Sequence, residues 1–523
     1  DNYNFMFVGK IDRCTTCHVN IDNEYFTDWD SRGENGERVF NSHPRLDLFV
    51  SDASPHPKNE FGCTVCHQGR GQAVEFPRTF HTPSADPWEG GETAAEKEAR
   101  WTEEYGYDSH AHYWDWPMVP LDKTYSSCFQ CHQDTARLPG VPEYNESRAL
   151  IEDLGCYGCH KIKGFEDYRK VGPDLTNLST KTDMDWLRRW VMAPKDFRPT
   201  TNMPHFWDQS NRGADVEQLE VIGYGPTPPW DNNSDRYVDD YRARNAVEAR
   251  AISAYVMNQS TQAVAANDFQ LGPVPAGAGD PEQGRELFES RGCLGCHSME
   301  SEGWDLSWHG PELSGIGSKT TAQWLFNWIQ DPQKYYPTTA MPDLRLSAEE
   351  AWDITAFLMQ HKAEGWDEVS PPAANDGVLD GIAVEYLSQL TSVAAAEAEV
   401  ARMRSQGGEA SVELYVGEKL FNHFGCAGCH LVPGHYTDSG VGTELTLEGL
   451  KEVAKFDFGF ETSHENPHAI KATRQDFFRA KLTDPRVFDR MPIVKHGEIE
   501  VYDQKVKRPA DKLKMPNFYL GEP

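Results

Sequence analysis

The chain has 523 residues, with 50 Lys and Arg against 82 Asp and Glu, and its formal net charge is −32. This acidity argues against a nucleic-acid-binding protein and against docking by charge alone on an anionic membrane, because both need basic surface. Only 38% of the residues are hydrophobic, yet 15 Trp, 20 Tyr and 25 Phe are too many aromatic residues for a disordered chain. We therefore expect something other than aliphatic side chains to fill the interior.

All 12 cysteines lie in a motif, C-x-x-C-H, that occurs six times. No cysteine remains for a disulfide framework, and six identical triplets match neither structural zinc spacing nor a single thioredoxin-type site. C-x-x-C-H is the attachment signature of c-type haem, in which both thiols bind the porphyrin and the histidine ligates the iron. The sequence therefore predicts six haem c groups. The attachment pairs are Cys14/Cys17, Cys63/Cys66, Cys128/Cys131, Cys156/Cys159, Cys293/Cys296 and Cys426/Cys429, and the proximal ligands are His18, His67, His132, His160, His297 and His430.

The first three motifs lie in residues 1–145, which show little helical periodicity. A segment of this size with three haems has hardly any core except the porphyrins, so we predict a haem-packed module of low secondary structure. Such modules usually place a second histidine on each iron. The candidates, in order of preference, are His43, His56 and His81, followed by His110 and His112, with Met118 as a weaker candidate for the third haem.

The stretch FGCTVCHQGRGQAVEF, followed by His81, resembles segments of large multihaem cytochromes encoded beside quinol-oxidising complexes. The resemblance covers only a short part of the module. It implies an association with that kind of complex.

Three later motifs form repeats, each with an amphipathic run that ends in Gly-Cys: SRALIEDLGCYGCH, GRELFESRGCLGCH and GEKLFNHFGCAGCH. In the first two repeats a G-P-x-L segment, two Trp four residues apart, a Met-Pro loop and a helical run follow in the same order. This order resembles class I cytochrome c. The resemblance implies small helical domains and identifies Met203 and Met341 as distal iron ligands.

The third repeat departs from the pattern, because its GTEL segment lacks the proline and two Met-Pro pairs follow. We predict Met515 as its distal ligand, since KMPNF resembles the ligand loop of the family; Met491 is the alternative. Few residues follow Met515, so the repeat is expected to lack its closing helix.

The predicted fold is mainly α with much irregular loop, and consists of three cytochrome c-like helical domains after the N-terminal module. Proline-, glycine- and alanine-rich stretches indicate the linkers. The predicted segments are a trihaem module at 1–145, cytochrome c-like domains at 146–262, 281–366 and 411–523, a linker at 263–280, and a linker containing a helix at 367–410.

Haem attachment of this kind takes place outside the cytoplasm, so we expect an exported protein in the periplasm or at the cell surface. The sequence has neither a signal peptide nor an apolar run of membrane-spanning length, and Asp1 is expected near a processed terminus. Membrane association through a partner or a removed anchor stays open.

A thioether ligand raises the potential of a haem above that of a haem with two histidines. Lower potentials are therefore expected in the first module and higher ones in the last three units. If every iron has two protein ligands, no site is open to substrate.

The first hypothesis is an electron carrier that is a subunit or partner of a membrane quinol-oxidising or oxidase complex. Its partners would be redox proteins with basic docking surfaces, and it would have no small-molecule substrate and no nucleic-acid partner.

Two alternative hypotheses assign the protein to other functional classes. One is the repeat unit of an extracellular cytochrome filament, although all-histidine ligation is the commoner pattern there. The other is a multihaem oxidoreductase, such as a nitrite or hydroxylamine oxidoreductase, with one open haem.

Overall fold

The structure is a computed structural model that describes residues 12–27, 39–49, 54–83, 93–107, 117–207, 234–305, 309–371, 375–436, 440–459, 461–462, 470–489, 493–495, 498–501 and 513–520. Within 234–243 and the two strands it describes the backbone. The fold is mainly α-helical with much irregular loop, which confirms the predicted fold class. No helix of the described residues is both long and apolar enough to cross a membrane.

The elements are named in chain order. The helices are α1 Lys58–Phe61, α2 Thr64–His67, α3 Ala94–Tyr105, α4 Pro142–Leu154, α5 Cys156–Cys159, α6 Met184–Met192, α7 Pro194–Phe197, α8 Ser234–Ala266, α9 Pro281–Ser290, α10 Ile316–Lys319, α11 Ala322–Gln330, α12 Pro332–Tyr335, α13 Ala348–Leu358, α14 Asp376–Leu387, α15 Val393–Phe424, α16 Cys426–Cys429 and α17 Arg474–Thr483. The antiparallel strands are β1 Ile493–Lys495 and β2 Glu498–Val501. Short 3₁₀ turns include Cys14–Thr16, Leu121–Gln130 and Cys293–Gly295.

Contacts divide the chain into two compact units. The first comprises Asp1–Ile151, Lys161–Asp167 and Glu444–Arg479, and the second comprises Glu152–His160, Tyr168–Thr443 and Ala480–Pro523. The predicted domain boundaries stay predictions, but the residues expected to form one domain at 411–523 contribute to both units.

The described residues of the N-terminal part of the first unit have little regular secondary structure, and α3 is the longest helix among them before Pro142. A capping box formed by Thr93 and Glu96 begins α3. The helix buries Trp101 against Phe76, with ring centroids 4.9 Å apart, and Phe76 stacks on His81 at 4.5 Å. The helix therefore supports one of the predicted ligand histidines.

The second unit contains the same helix crossing twice. A Cβ atom at Gly284 of α9 would overlap the carbonyl oxygen of Asp353 in α13, and one at Gly417 of α15 would overlap that of Ala251 in α8. One turn further on, an aromatic pair closes each crossing: the ring centroids of Phe288 and Phe357 lie 5.8 Å apart, and those of Phe421 and Tyr255 lie 5.6 Å apart. Only glycine allows the backbones to approach this closely.

Residues 367–410, predicted as a linker with a helix, contain α14 and the first part of α15. Both helices enter the core, since the side chains of Leu379, Ile382 and Val400 are buried. The non-helical conformation of Gly408, with φ 68°, separates this part of α15 from the part that leads into the last motif. Both helices of the predicted linker therefore contribute side chains to the core of the second unit.

A buried polar network joins α8 to α14. Trp207 Nε1 donates to Glu248 Oε2 at 2.9 Å, Glu248 pairs with Arg244 at 2.7 Å, and Arg244 also pairs with Glu385 at 2.8 Å. Burial opposes the charge of Arg244, but the two carboxylates hold the pKa of Arg244 above its usual value. Removing one partner of such a buried pair typically costs about 3–5 kcal/mol, so the network fixes the position of α14.

We expect Gly417→Ala to lower the free energy of unfolding by about 1–3 kcal/mol, because the new methyl group must push α15 away from α8. Denaturant unfolding of the purified protein measures this. Gly381→Ala in α14 is the matched control, since a Cβ atom there meets nothing within 4 Å, and it should be neutral or stabilising. Equal effects of the two changes would contradict the close crossing.

Candidate functional site

Glycines in the left-handed conformation introduce the last three motifs. Gly155 has φ 68°, Gly292 has φ 85° and Gly425 has φ 70°. Gly425 ends α15 and turns the chain directly into α16, the helical turn that contains both cysteines. Residues with side chains rarely adopt this conformation, so the Gly-Cys pairs of the sequence reflect a backbone requirement.

The 12 cysteines all lie in the same sequence motif, but they differ in solvent exposure. Cys17, Cys131 and Cys296, each the second cysteine of its motif, are exposed, whereas the other nine are partly buried. A thioether bond needs the sulfur to face the porphyrin edge and does not need it to be buried in protein, so exposure alone does not exclude attachment. The attachment roles of all 12 cysteines stay predictions, and we expect the porphyrin edges held by the three exposed cysteines to lie near the surface.

In the middle repeat the C-x-x-C-H motif is hydrogen-bonded to the G-P-x-L segment that follows it in the chain. His297 Nδ1 donates to the carbonyl oxygen of Pro311 at 2.8 Å. Gly310 N donates to the carbonyl oxygen of Cys296 at 2.6 Å, and Leu313 N donates to that of Ser298 at 3.1 Å. The first bond fixes the imidazole tautomer and leaves Nε2 for a metal.

The motif at Cys156 makes the same three bonds with the third repeat. His160 Nδ1 donates to the carbonyl oxygen of Thr443 at 2.8 Å. Gly442 N donates to that of Cys159 at 2.8 Å, and Leu445 N donates to that of Lys161 at 2.9 Å.

The motif at Cys426 makes them, in turn, with the first repeat. His430 Nδ1 donates to the carbonyl oxygen of Pro173 at 3.0 Å. Gly172 N donates to that of Cys429 at 2.8 Å, and Leu175 N donates to that of Leu431 at 2.9 Å. The two outer repeats therefore exchange their G-P-x-L and G-T-E-L segments.

The two exchanged motifs lie back to back. A Cβ atom at Gly158 would lie 2.7 Å from the carbonyl oxygen of Gly428, and one at Gly428 would lie still closer to the carbonyl oxygen of Gly158. The thiols of Cys159 and Cys429 contact each other, and this contact lowers the pKa of Cys159. The attachment points of two neighbouring groups are thus adjacent.

Each proximal histidine of the N-terminal module faces one predicted second histidine. The ring centroids of His18 and His81 lie 6.5 Å apart, those of His67 and His43 lie 6.0 Å apart, and those of His132 and His56 lie 6.0 Å apart. One metal with two nitrogen bonds of about 2.0 Å places two imidazole centroids about 6.3 Å apart. The spacing of all three pairs fits one iron between two imidazoles.

The surroundings of these imidazoles favour ligation. Burial lowers the pKa of His67 to about 4, and it lowers the pKa of His81 to about 4, so both remain neutral as metal binding requires. His56 Nδ1 lies 3.3 Å from the carbonyl oxygen of Leu48, which leaves Nε2 free for a metal. Met118 packs against Gly69. His110 and His112 lie outside the described residues.

Asp12 was not identified from the sequence, yet it joins the first two motifs. Its carboxylate accepts hydrogen bonds from the backbone N–H of Cys63 at 2.7 Å, of Thr64 at 2.9 Å and of Cys14 at 3.2 Å. Burial opposes its charge, but a hydrogen bond with the Cys14 thiol, together with these backbone bonds, holds the pKa of Asp12 below its usual value. The carboxylate and the sulfur atoms of Cys14 and Cys63 lie within 4.8 Å of one another. Because both thiols belong to attachment motifs, we interpret the cluster as two adjacent attachment points.

Two half-buried lysines extend between the first and second repeats. Lys181 Nζ lies 4.3 Å from the ring centroid of Trp324, and Lys319 Nζ lies 5.0 Å from that of Trp186. Burial lowers the pKa of Lys181 to about 8 and holds the pKa of Lys319 well below its usual range. Neither ammonium has a carboxylate partner in the described part of the chain, where Trp186 Nε1 and Trp324 Nε1 are also buried without an acceptor. These donors fit the carboxylates of an acidic group such as haem.

The predicted thioether ligands lie in Met-Pro loops. Met341 Sδ accepts a hydrogen bond from Trp328 Nε1 at 2.9 Å. The loops of Met203 and Met515 pair with each other, because the backbones of His205 and Asn517 exchange two hydrogen bonds of 2.9 Å. This pairing supports Met515 as the counterpart of Met203. Met491 lies outside the described residues.

Comparisons with known proteins find similarity in parts of the chain. Residues 281–362 match the family described as cytochrome c, and residues 62–161 match cytochrome c554 and c-prime. Over 82 residues the chain is 32% identical to a nitric oxide reductase subunit of Stutzerimonas stutzeri; the match covers 14% of this chain and 54% of that protein. The chain therefore contains c-type cytochrome segments, which bind haem covalently and transfer electrons.

Replacing Lys319 by Gln should lower the potential of one haem, because an ammonium paired with haem carboxylates is positive and favours the reduced state of the iron. A spectroscopic redox titration measures this change. Lys334→Gln removes an exposed charge of the same kind and should leave the titration unchanged, since water screens it. A Lys319 variant that titrates like the unchanged protein would exclude an electrostatic role for this ammonium.

Proposed function

We propose that this chain is a six-haem electron carrier in which no iron is open to substrate. The observation that carries the proposal is the set of three facing imidazole pairs, His18 with His81, His67 with His43, and His132 with His56, each at the spacing of one iron. In the remaining three units the sequence supports thioether ligands from Met203, Met341 and Met515. Together with the proximal histidines, these imidazoles and thioethers would occupy both axial positions of every iron.

Haem supplies one-electron exchange at its iron, and the residues of the chain set where and at what potential this happens. Imidazole pairs favour lower potentials in the N-terminal module, and thioethers favour higher ones in the later units. Adjacent attachment cysteines, Cys14 with Cys63 and Cys159 with Cys429, support short paths between neighbouring groups. Electrons would therefore move from the N-terminal module toward the cytochrome c-like units.

The proposed setting is an exported protein in the periplasm or at the cell surface that serves a membrane quinol-oxidising or oxidase complex. The relative named as part of a nitric oxide reductase supports a role beside another redox protein. The net charge of −32 favours partners with basic docking surfaces and association that weakens with salt.

The haem content tests the first part of the proposal. The intact mature protein should carry six covalent haems by mass spectrometry, and each Cys→Ala pair, such as Cys293→Ala with Cys296→Ala, should remove one. Denaturation without reductant should release none, because both thiols hold the porphyrin. A mature protein with fewer covalent haems would contradict the assignment of all six motifs.

Axial ligation tests the second part. His81→Ala should convert one low-spin haem to a high-spin haem in electron paramagnetic resonance, because no second imidazole then reaches the iron of His18. His309→Ala, at an exposed histidine, is the control and should leave all haems low-spin. A high-spin, ligand-exchangeable haem in the unchanged protein would instead favour the multihaem oxidoreductase.

A further inference from the structure

We propose that the two outer repeats exchange their distal ligands, so that Met203 ligates the haem of Cys426 and Cys429 and Met515 ligates the haem of Cys156 and Cys159. This inference rests on the proposed function, since it presupposes haem c at both motifs. It differs from a chain of three self-contained units, in which each motif would take the methionine of its own repeat.

The first argument is the set of bonds around the proximal histidines. In the middle repeat, His297 donates to Pro311, and the same segment leads on to Met341. At the equivalent position His430 donates to the carbonyl oxygen of Pro173, and the segment that contains Pro173 leads on to Met203. Pro173 and Met203 are 30 residues apart, as are Pro311 and Met341. The segment that contacts His430 is therefore the one that supplies Met203.

The second argument is the helix that closes each unit. The middle repeat packs its first helix, α9, against its own closing helix, α13, at Gly284. The helix that leads into Cys426 is α15, and it makes the equivalent crossing with α8, the closing helix of the first repeat, at Gly417. Phe206, two residues after the Met-Pro pair of the first repeat, also packs on Phe424 of α15 with ring centroids 5.2 Å apart. The downstream half of the first repeat thus completes the third motif.

The third argument is reciprocity. His160 donates to Thr443, in the segment that leads toward Met515. The segment before Met203 therefore contacts His430, and the segment before Met515 contacts His160. The two Met-Pro loops pair with each other through His205 and Asn517. A self-contained first unit would need the carbonyl of Pro173 at His160, but this carbonyl accepts from His430.

Removing one haem at a time separates the two arrangements. In a Cys426→Ala, Cys429→Ala variant, two thioether-ligated haems should remain, counted by the methionine-to-iron(III) charge-transfer absorption. Adding Met203→Ala should then change nothing, whereas adding Met515→Ala should remove half of the remaining absorption. The reverse result, a loss with Met203→Ala and none with Met515→Ala, would overturn the exchange.

The middle repeat provides the matched control. Met341→Ala should remove one thioether-ligated haem from the unchanged protein, and it should have no further effect when Cys293 and Cys296 are already Ala. Absence of the charge-transfer absorption in the unchanged protein would refute thioether ligation itself, and with it both the proposed function of these units and the exchange of methionine ligands, whereas the reversed pattern above would overturn the exchange alone.

A density map of the unaltered holoprotein gives a second measurement, which does not depend on the folding of a variant. Met203 and His430 on opposite faces of one iron, with Met515 and His160 on another, are the expected result. Met203 opposite His160 would overturn the proposal.

Discussion

One kind of hydrogen bond, from Nδ1 of a proximal histidine to a backbone carbonyl, organises the cytochrome c-like part of the molecule. It occurs at His160, His297 and His430, with distances of 2.8, 2.8 and 3.0 Å. The carbonyl follows a glycine in each case, and a Cβ atom at Gly172, Gly310 or Gly442 would lie 2.5 or 2.6 Å from a ring atom of the histidine. The bond thus fixes a tautomer and also determines which segment of chain lies beside which motif.

The N-terminal module positions its histidines with little helical structure. Pairs of imidazoles, most of them from loops, lie at the spacing expected for one iron, and Asp12 joins two motifs by accepting hydrogen bonds from backbone N–H groups. The low aliphatic content of the chain fits this arrangement, because covalently bound porphyrins supply apolar volume that side chains would otherwise provide. The aromatic contact of Trp101 and Phe76 behind His81 shows how few side chains are needed to support such a ligand.

Local sequence was sufficient for the motifs, the helical class and the candidate ligands. The order of preference for His43, His56 and His81 could not identify their partners, because pairing across a loop module leaves no periodicity in the sequence. The exchange of segments was equally hidden. GPDL and GTEL have the same local pattern whether they contact their own histidine or a distant one, and only the path of the chain decides. Residues 367–410 show a related limit: the sequence predicts a linker with a helix, and the structure places Leu379, Ile382 and Val400 of its helices in the core.

The exchanged contacts also have a consequence for the assembly of the protein. His160 and its carbonyl acceptor are separated by 283 residues, whereas the equivalent pair in the middle repeat is separated by 14. By loop-closure entropy alone, the longer connection costs about 2.7 kcal/mol more. The middle repeat can close as soon as it has been synthesised, but the motif at Cys156 must wait for the last part of the chain. During that interval its attached haem would have one protein ligand, and the order of maturation along the chain would differ from the order of the motifs.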